Sequence, residues 1–262
     1  MTPVDLVILL LVALLSFGLA YLGASVGLVL GQLRLPVLVY WLGSPVVGAG
    51  TSLGISTIAA LVGAVRHGRS GRVSVRLILT IGAPSAAAAF ATARFAAALD
   101  PILVKMAIGV ALLVTSGFML RRASASSDDE DDEVDLDADP PKNRMPIEVG
   151  VGAVLGGVAG LVGLLMGTLR LPIMLRLGAG PARAVGTNLA IGCVTGLFAG
   201  VATVMEGNID WVAFGVVTPT TMLGAYLGAS ATGRMEKRTL RTLIAIVLVV
   251  IGLWMVSEGL RN

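Results

Sequence analysis

Long uncharged apolar runs alternate with short polar clusters along this chain. No charged residue falls within residues 6–33, 149–169, 184–205 or 211–233. Each run is long enough, as a helix, to cross roughly 30 Å of hydrocarbon. The pattern predicts spans over residues 4–30, 77–93, 101–120, 149–169, 211–230 and 243–257. Two more should begin at a capping hydroxyl or amide, one at Thr51 or Ser52 and running to 65, the other over 187–205. Between these lie two pieces rich in Pro and Gly, 33–50 and 171–186, whose apolar parts are too short and too punctuated for ordinary spans. The expected fold class is all-α: a polytopic helical membrane protein with Pro/Gly-broken helices.

The two punctuated pieces are copies of one another. Gly27-Leu-Val-Leu-Gly31-Gln-Leu-Arg34-Leu-Pro36 returns as Gly163-Leu-Leu-Met-Gly167-Thr-Leu-Arg170-Leu-Pro172, displaced by 136 residues. At the same offset Pro45 falls on Pro181, Gly50-Thr51-Ser52 on Gly186-Thr187-Asn188, and Gly71-Arg-Val-Ser74 on Gly207-Asn-Ile-Asp210. The chain therefore divides into a first transmembrane repeat (1–122), a linker (123–146) and a second repeat (147–262).

Composition sharpens this picture. Apolar residues make up 56% of the chain and charged ones 13%, against roughly a quarter charged in a soluble domain. So many uniformly apolar helices cannot bury one another in a chain of 262 residues, which leaves the bilayer as their solvent. The abundant Gly and Ala suit close helix–helix approach. Residues 4–30 read as a first span and not as a removable signal, since no basic segment precedes them and no convincing cleavage site follows. The linker holds nine acidic residues in the twelve positions 128–139 and almost nothing apolar, the composition of a disordered, solvated segment. Its acidic run lacks the spacing of a calcium loop.

Catalysis finds no support. The lone His67 sits in a basic loop, the lone Cys193 lies within an apolar run, and no phosphate-binding Gly-Lys-[Ser/Thr] sequence occurs. Neither a metal nor a cofactor is expected. Transporters built from repeats place substrate where helices break, and Pro36, Pro45, Pro172 and Pro181 mark the expected breaks. Gly50-Thr51-Ser52 and Gly186-Thr187-Asn188 would then start helices whose free N–H groups favour an anion, or would simply cap them. Arg34 and Arg170 form a second matched pair, read either as headgroup anchors or as donors to an oxoanion. A non-transporting membrane scaffold or assembly protein is the competing class of function.

The repeated Gly-rich helix with Leu-Arg-Leu-Pro, the Gly-Thr-[Ser/Asn] element and the Gly-Asn-Ile-Asp210 turn together resemble the sulfite exporter TauE/SafE family. The likeness covers both halves and leaves out the acidic linker. It implies a multi-pass cell-membrane carrier of small, sulfur-containing anions such as sulfite or a sulfonate, a homo-oligomer being one form it could take. The first half departs from the family pattern at Gly71-Arg-Val-Ser74, where Asp is replaced by Ser.

Two topologies compete. If the punctuated pieces only dip into the bilayer, each half has four spans and the halves lie parallel. If they cross, each half has five transits and the repeats are inverted. With the N-terminus outside, the inverted arrangement puts fourteen basic residues inside and four outside, with Arg176 in mid-crossing. That bias favours inversion, and both topologies keep the acidic linker in the cytoplasm.

Overall fold

The computed structural model describes residues 3–26, 31–124, 140–230 and 237–261. The acidic run 128–139 lies outside the described residues. The first half contains α1 (Pro3–Val26), α2 (Gly31–Trp41), α3 (Pro45–Arg69), α4 (Val75–Ala96) and α5 (Pro101–Ser124). The second contains α6 (Met145–Val162), α7 (Gly167–Arg176), α8 (Pro181–Met205), α9 (Trp211–Ser230) and α10 (Lys237–Arg261). Seven of these are long and apolar enough to cross a membrane. Leu6, Leu10, Leu14, Val110, Val114, Leu223, Val250 and Trp254 face outward, an apolar surface that suits lipid and not water.

Helix ends correct the expected boundaries. Helix α3 begins at Pro45 and not at Thr51, with Ser44 as N-cap accepting the Val47 N–H. Helix α8 begins likewise at Pro181. Proline at the first helical position has φ already set and gives up an N–H that would be unpaired anyway, so Pro45 and Pro181 start helices. The helices are broken at 42–44 and 177–180, just before Pro45 and Pro181, while Pro36 and Pro172 lie inside α2 and α7. The expected span 149–169 is interrupted at Gly163, which takes φ 72° and ends α6. A Cβ at Gly163 would lie 2.4 Å from the Ala49 carbonyl oxygen, so only glycine lets α6 abut α3 there. Helix α4 contains one π-helical turn, Ile78–Gly82, just before Pro84.

Glycine contacts fix the helix directions. Gly63 lies against Leu189, Gly192 against Ala60 and Gly196 against Thr57, so α3 and its counterpart α8 run antiparallel. Gly109 meets Gly252 and Met255, while Gly259 meets Met106, so α5 and its counterpart α10 are antiparallel too. By contrast α4 and α6 run parallel, with Gly152, Gly156 and Gly160 seated on Ile81, Ser85 and Ala89. Helices α1 and α9 do the same, with Gly224 and Gly228 on Phe17 and Tyr21. Counterparts that pack side by side in opposite directions require an approximate two-fold axis in the membrane plane. The repeats are inverted, and two parallel halves are excluded.

This arrangement makes α2 and α7 the return legs between longer helices. At 11 and 10 residues they span only about 16 Å at 1.5 Å per residue. Such short legs are tolerated where protein, and not lipid, surrounds them. Leu35, Leu38 and Val39 of α2 and Met174 of α7 are indeed buried.

Candidate functional site

The short helices carry the two arginines into the protein interior. Arg34 is 2% exposed and Arg170 is 1% exposed, so neither is a headgroup anchor. Arg34 Nη2 donates to the Ser52 carbonyl (3.1 Å) and to Ser56 Oγ (2.8 Å) on α3. Arg170 Nε donates to Asn188 Oδ1 (2.8 Å), and its Nη2 to the carbonyls of Leu165 (3.1 Å) and Asn188 (3.4 Å). No carboxylate neutralises either guanidinium among the described residues, whereas Arg76, Arg94 and Lys105 are paired with Glu148, Glu206 and Glu258. Burying a cation without a counter-charge is expensive, so two such cations at matched positions call for an anion.

A cleft of about 450 Å³, part of it open to solvent, lies between the halves beside Arg170. Gln32 and Ser56 line it from the first half, and Thr168, Arg170 and Asn188 from the second. The N-terminus of α7 opens into it at Gly167, preceded by Met166 in the left-handed region at φ 44°. The first N–H groups of a helix lack intrahelical partners, so this end adds donors to the arginine. Asn188 Nδ2 bridges to the Gly167 carbonyl and ties α8 to that helix start. Gln32 is nearly unengaged, its amide meeting the Met119 sulfur at 3.7 Å.

The predicted residues divide between two tasks. Thr51 and Thr187 do not sit at helix starts and do not line the cleft. Thr51 Oγ1 accepts the Asp210 N–H (2.9 Å), and Thr187 Oγ1 accepts the Ser74 N–H (2.9 Å). Each therefore holds the turn before a helix of the opposite repeat. A Cβ at Gly50 would meet the Asn208 carbonyl oxygen at 2.2 Å, and one at Gly186 the Arg72 carbonyl oxygen at 2.1 Å. The Gly-Thr pair and the later Gly-x-[Ile/Val]-[Asp/Ser] turn are thus the two faces of one clamp, made twice across the repeats. Asp210 Oδ1 and Ser74 Oγ in turn cap α9 and α4, so Ser74 still performs the cap that Asp performs in the other copy. The third residue of each motif, Ser52 or Asn188, is the one that meets an arginine.

Sequence reasoning missed Gln32, Ser56 and Thr168. Their signal was available: Ser56 follows Ser52 by one helical turn, and Gln32 and Thr168 each stand two residues before a repeated arginine. One acidic group, Glu148, is fully buried at the start of α6. Arg76 accounts for this, donating to Glu148 Oε1 at 2.8 Å and also to the Pro140 carbonyl.

Comparison with known proteins agrees with this architecture. The family model described as sulfite exporter TauE/SafE matches residues 8–255. The probable membrane transporter protein YdhB of Bacillus subtilis (strain 168) is 26% identical over 258 residues, which is 95% of this chain and 98% of that protein. YjnA of the same organism, a probable membrane transporter protein by name, is 26% identical over 252 residues, 92% of this chain and 98% of that protein. A third, YunE, is 28% identical over 115 residues, covering 44% of this chain and 42% of that protein. No solved structure matches the chain. Inverted five-helix repeats, an outward apolar surface and a model match over nearly the whole chain lead to one conclusion: the chain belongs to the sulfite exporter TauE/SafE family, and it is a membrane-embedded secondary transporter of small anions, not an enzyme.

Proposed function

We propose that the cargo is a small sulfur oxoanion, sulfite or a sulfonate, bound in the cleft between the repeats and passed across by their alternate opening. The observation that carries this reading is the pair of buried, uncompensated guanidiniums, one of which lines the cleft. Arg170 supplies charge and directed N–H donors, with Nη1 unpartnered among the described residues. The α7 N-terminus adds its donors and positive dipole end. Asn188, Thr168, Gln32 and Ser56 supply neutral groups that recognise oxygen atoms. Pro36, Pro45, Pro172 and Pro181 set the short legs and helix starts that frame this space, while Gly50, Thr51, Gly186 and Thr187 hold the repeats together around it. Flux into liposomes containing the purified chain tests the proposal. Sulfite and a short sulfonate should move faster than chloride, and each should compete with the other. Equal flux for chloride and sulfite would remove the sulfur-anion assignment.

The charge bias orients the protein with its N-terminus outside, the acidic linker 123–146 joining the repeats in the cytoplasm. The turn after α3 and the turn after α8 then face opposite sides. In a Cys193→Ser background, Ser70→Cys should resist an impermeant thiol reagent applied to intact cells, whereas Asn208→Cys should react. The reverse pattern would invert the orientation.

A further inference from the structure

The two arginine stations share one bond and differ in the others: Arg34 Nη2 also reaches Ser56 Oγ, and Arg170 Nη2 the Leu165 carbonyl. Arg34 and Arg170 are 136 residues apart, and each uses Nη2 to reach the carbonyl of the matched residue on the following helix, Ser52 or Asn188. In the second half Nε is also satisfied, by Asn188 Oδ1 at 2.8 Å. In the first half it is not. Among the described residues Arg34 Nε has no hydrogen-bond partner, and neither has Ser52 Oγ. Both residues are buried, at 2% and 0% exposure. A serine side chain ends one atom short of the amide oxygen of asparagine, so the acceptor present in one repeat is missing from the other.

Buried unpaired polar groups are rare and costly, and one that persists needs a reason. Here two occur at one station beside a buried positive charge. The missing group must accept from an N–H that can only donate and from a hydroxyl that can also donate. It should also offset the guanidinium charge. We propose that the Arg34–Ser52 station is a second subsite for a small anion, distinct from the cleft at Arg170. An oxygen of the bound anion takes the place that Asn188 Oδ1 occupies in the other repeat. The repeats are thus inequivalent: the second carries a built-in acceptor, and the first borrows one from the ligand. This rests on small anions as cargo, but not on the cleft being where they bind.

The two substitutions that exchange these residues test it. Ser52→Asn gives Arg34 its own acceptor and closes the subsite, while Arg170→Gln disables the cleft and leaves Arg34 untouched. Binding of radiolabelled sulfite to the full-length chain in detergent is measured by equilibrium dialysis under reducing conditions. The unmodified chain should bind two anions, and each single variant one. Ser52→Asn should keep or raise the melting temperature in anion-free buffer, since it satisfies Arg34 Nε. A stoichiometry unchanged by Ser52→Asn in a protein that stays folded overturns the subsite and assigns the gap to water. If Arg170→Gln instead leaves two anions bound, the cleft reading falls while the subsite stands. Asn188→Ser removes the built-in acceptor and should weaken binding at the cleft while leaving the Arg34 station as it is. If Asn188→Ser weakens one of two bound anions while Ser52→Asn loses the other, the subsite is a property of the first half; if Asn188→Ser and Ser52→Asn affect the same anion, the two stations are one site and the proposal falls.

Discussion

Arg170→Gln should abolish most anion flux at unchanged membrane abundance. Among the described residues Arg170 is the one charged side chain lining the cleft, and its guanidinium faces no carboxylate there. A hydrogen bond to a charged group is worth about 1.5–3 kcal/mol, and each 1.4 kcal/mol is roughly tenfold in affinity. Loss of one such bond together with the charge should lower apparent affinity by about 10- to 100-fold. Glutamine keeps part of the side chain's length and one donor group, so the contact with Asn188 Oδ1 can partly survive. Removing a buried charge that has no counter-ion should not destabilise the fold as removing one partner of an ion pair would. Flux in liposomes and the sulfite-induced rise in melting temperature are the readouts. Flux should collapse and the sulfite-induced rise should shrink to what the Arg34 station alone supplies, with the melting temperature in anion-free buffer near that of the unmodified chain. Full flux in the variant would show that the cleft is not the route.

Gly156→Val should remove folded protein from the membrane altogether. Helices α4 and α6 belong to different repeats and run parallel at close range. A Cβ at Gly156 would lie 2.2 Å from the Ser85 carbonyl oxygen and 2.4 Å from its Cα. Those are backbone atoms of a helix, which cannot rotate away as a side chain can. The neighbours Gly152 and Gly160 meet the Ile81 and Ala89 carbonyl oxygens at the same 2.2 Å, so α6 cannot tilt to relieve one position without closing on another. Overpacking of a tight contact usually costs about 1–3 kcal/mol, and a rigid backbone on both sides places this site at the upper end. Gly150→Val is the control, since nothing lies within 4 Å of a Cβ there. Detergent-extracted protein assayed by size-exclusion should show a sharp folded peak for Gly150→Val and none for Gly156→Val. Equal peaks would mean that the helices are not apposed as described.

The amino-acid order alone determined a good deal. Uncharged runs of more than 20 residues admit no soluble fold of this size, so the membrane class follows from hydropathy. The 136-residue offset betrays the duplication because both copies must make the same turns with the same Gly, Pro and Arg. Clustering of basic residues also favoured inversion, since juxtamembrane charge depends on sequence and not on packing. What sequence could not decide was the task of each repeated residue. A Gly-Thr after a proline reads locally as a helix start, yet Pro45 and Pro181 had already started those helices. Only the fold brings Thr51 to Asp210 and Thr187 to Ser74, across 159 and 113 residues. Arg34 and Arg170 likewise read as ends of spans, and their burial depends on two short helices turning back inside the protein. Cleft residues from α2, α3, α7 and α8 meet because the repeats interlock, and Ser52 differs from Asn188 in consequence only once each stands beside an arginine. Local periodicity encodes which segments leave water. Which of their polar groups meet is set by the packing of one repeat against the other, over distances that no local pattern records.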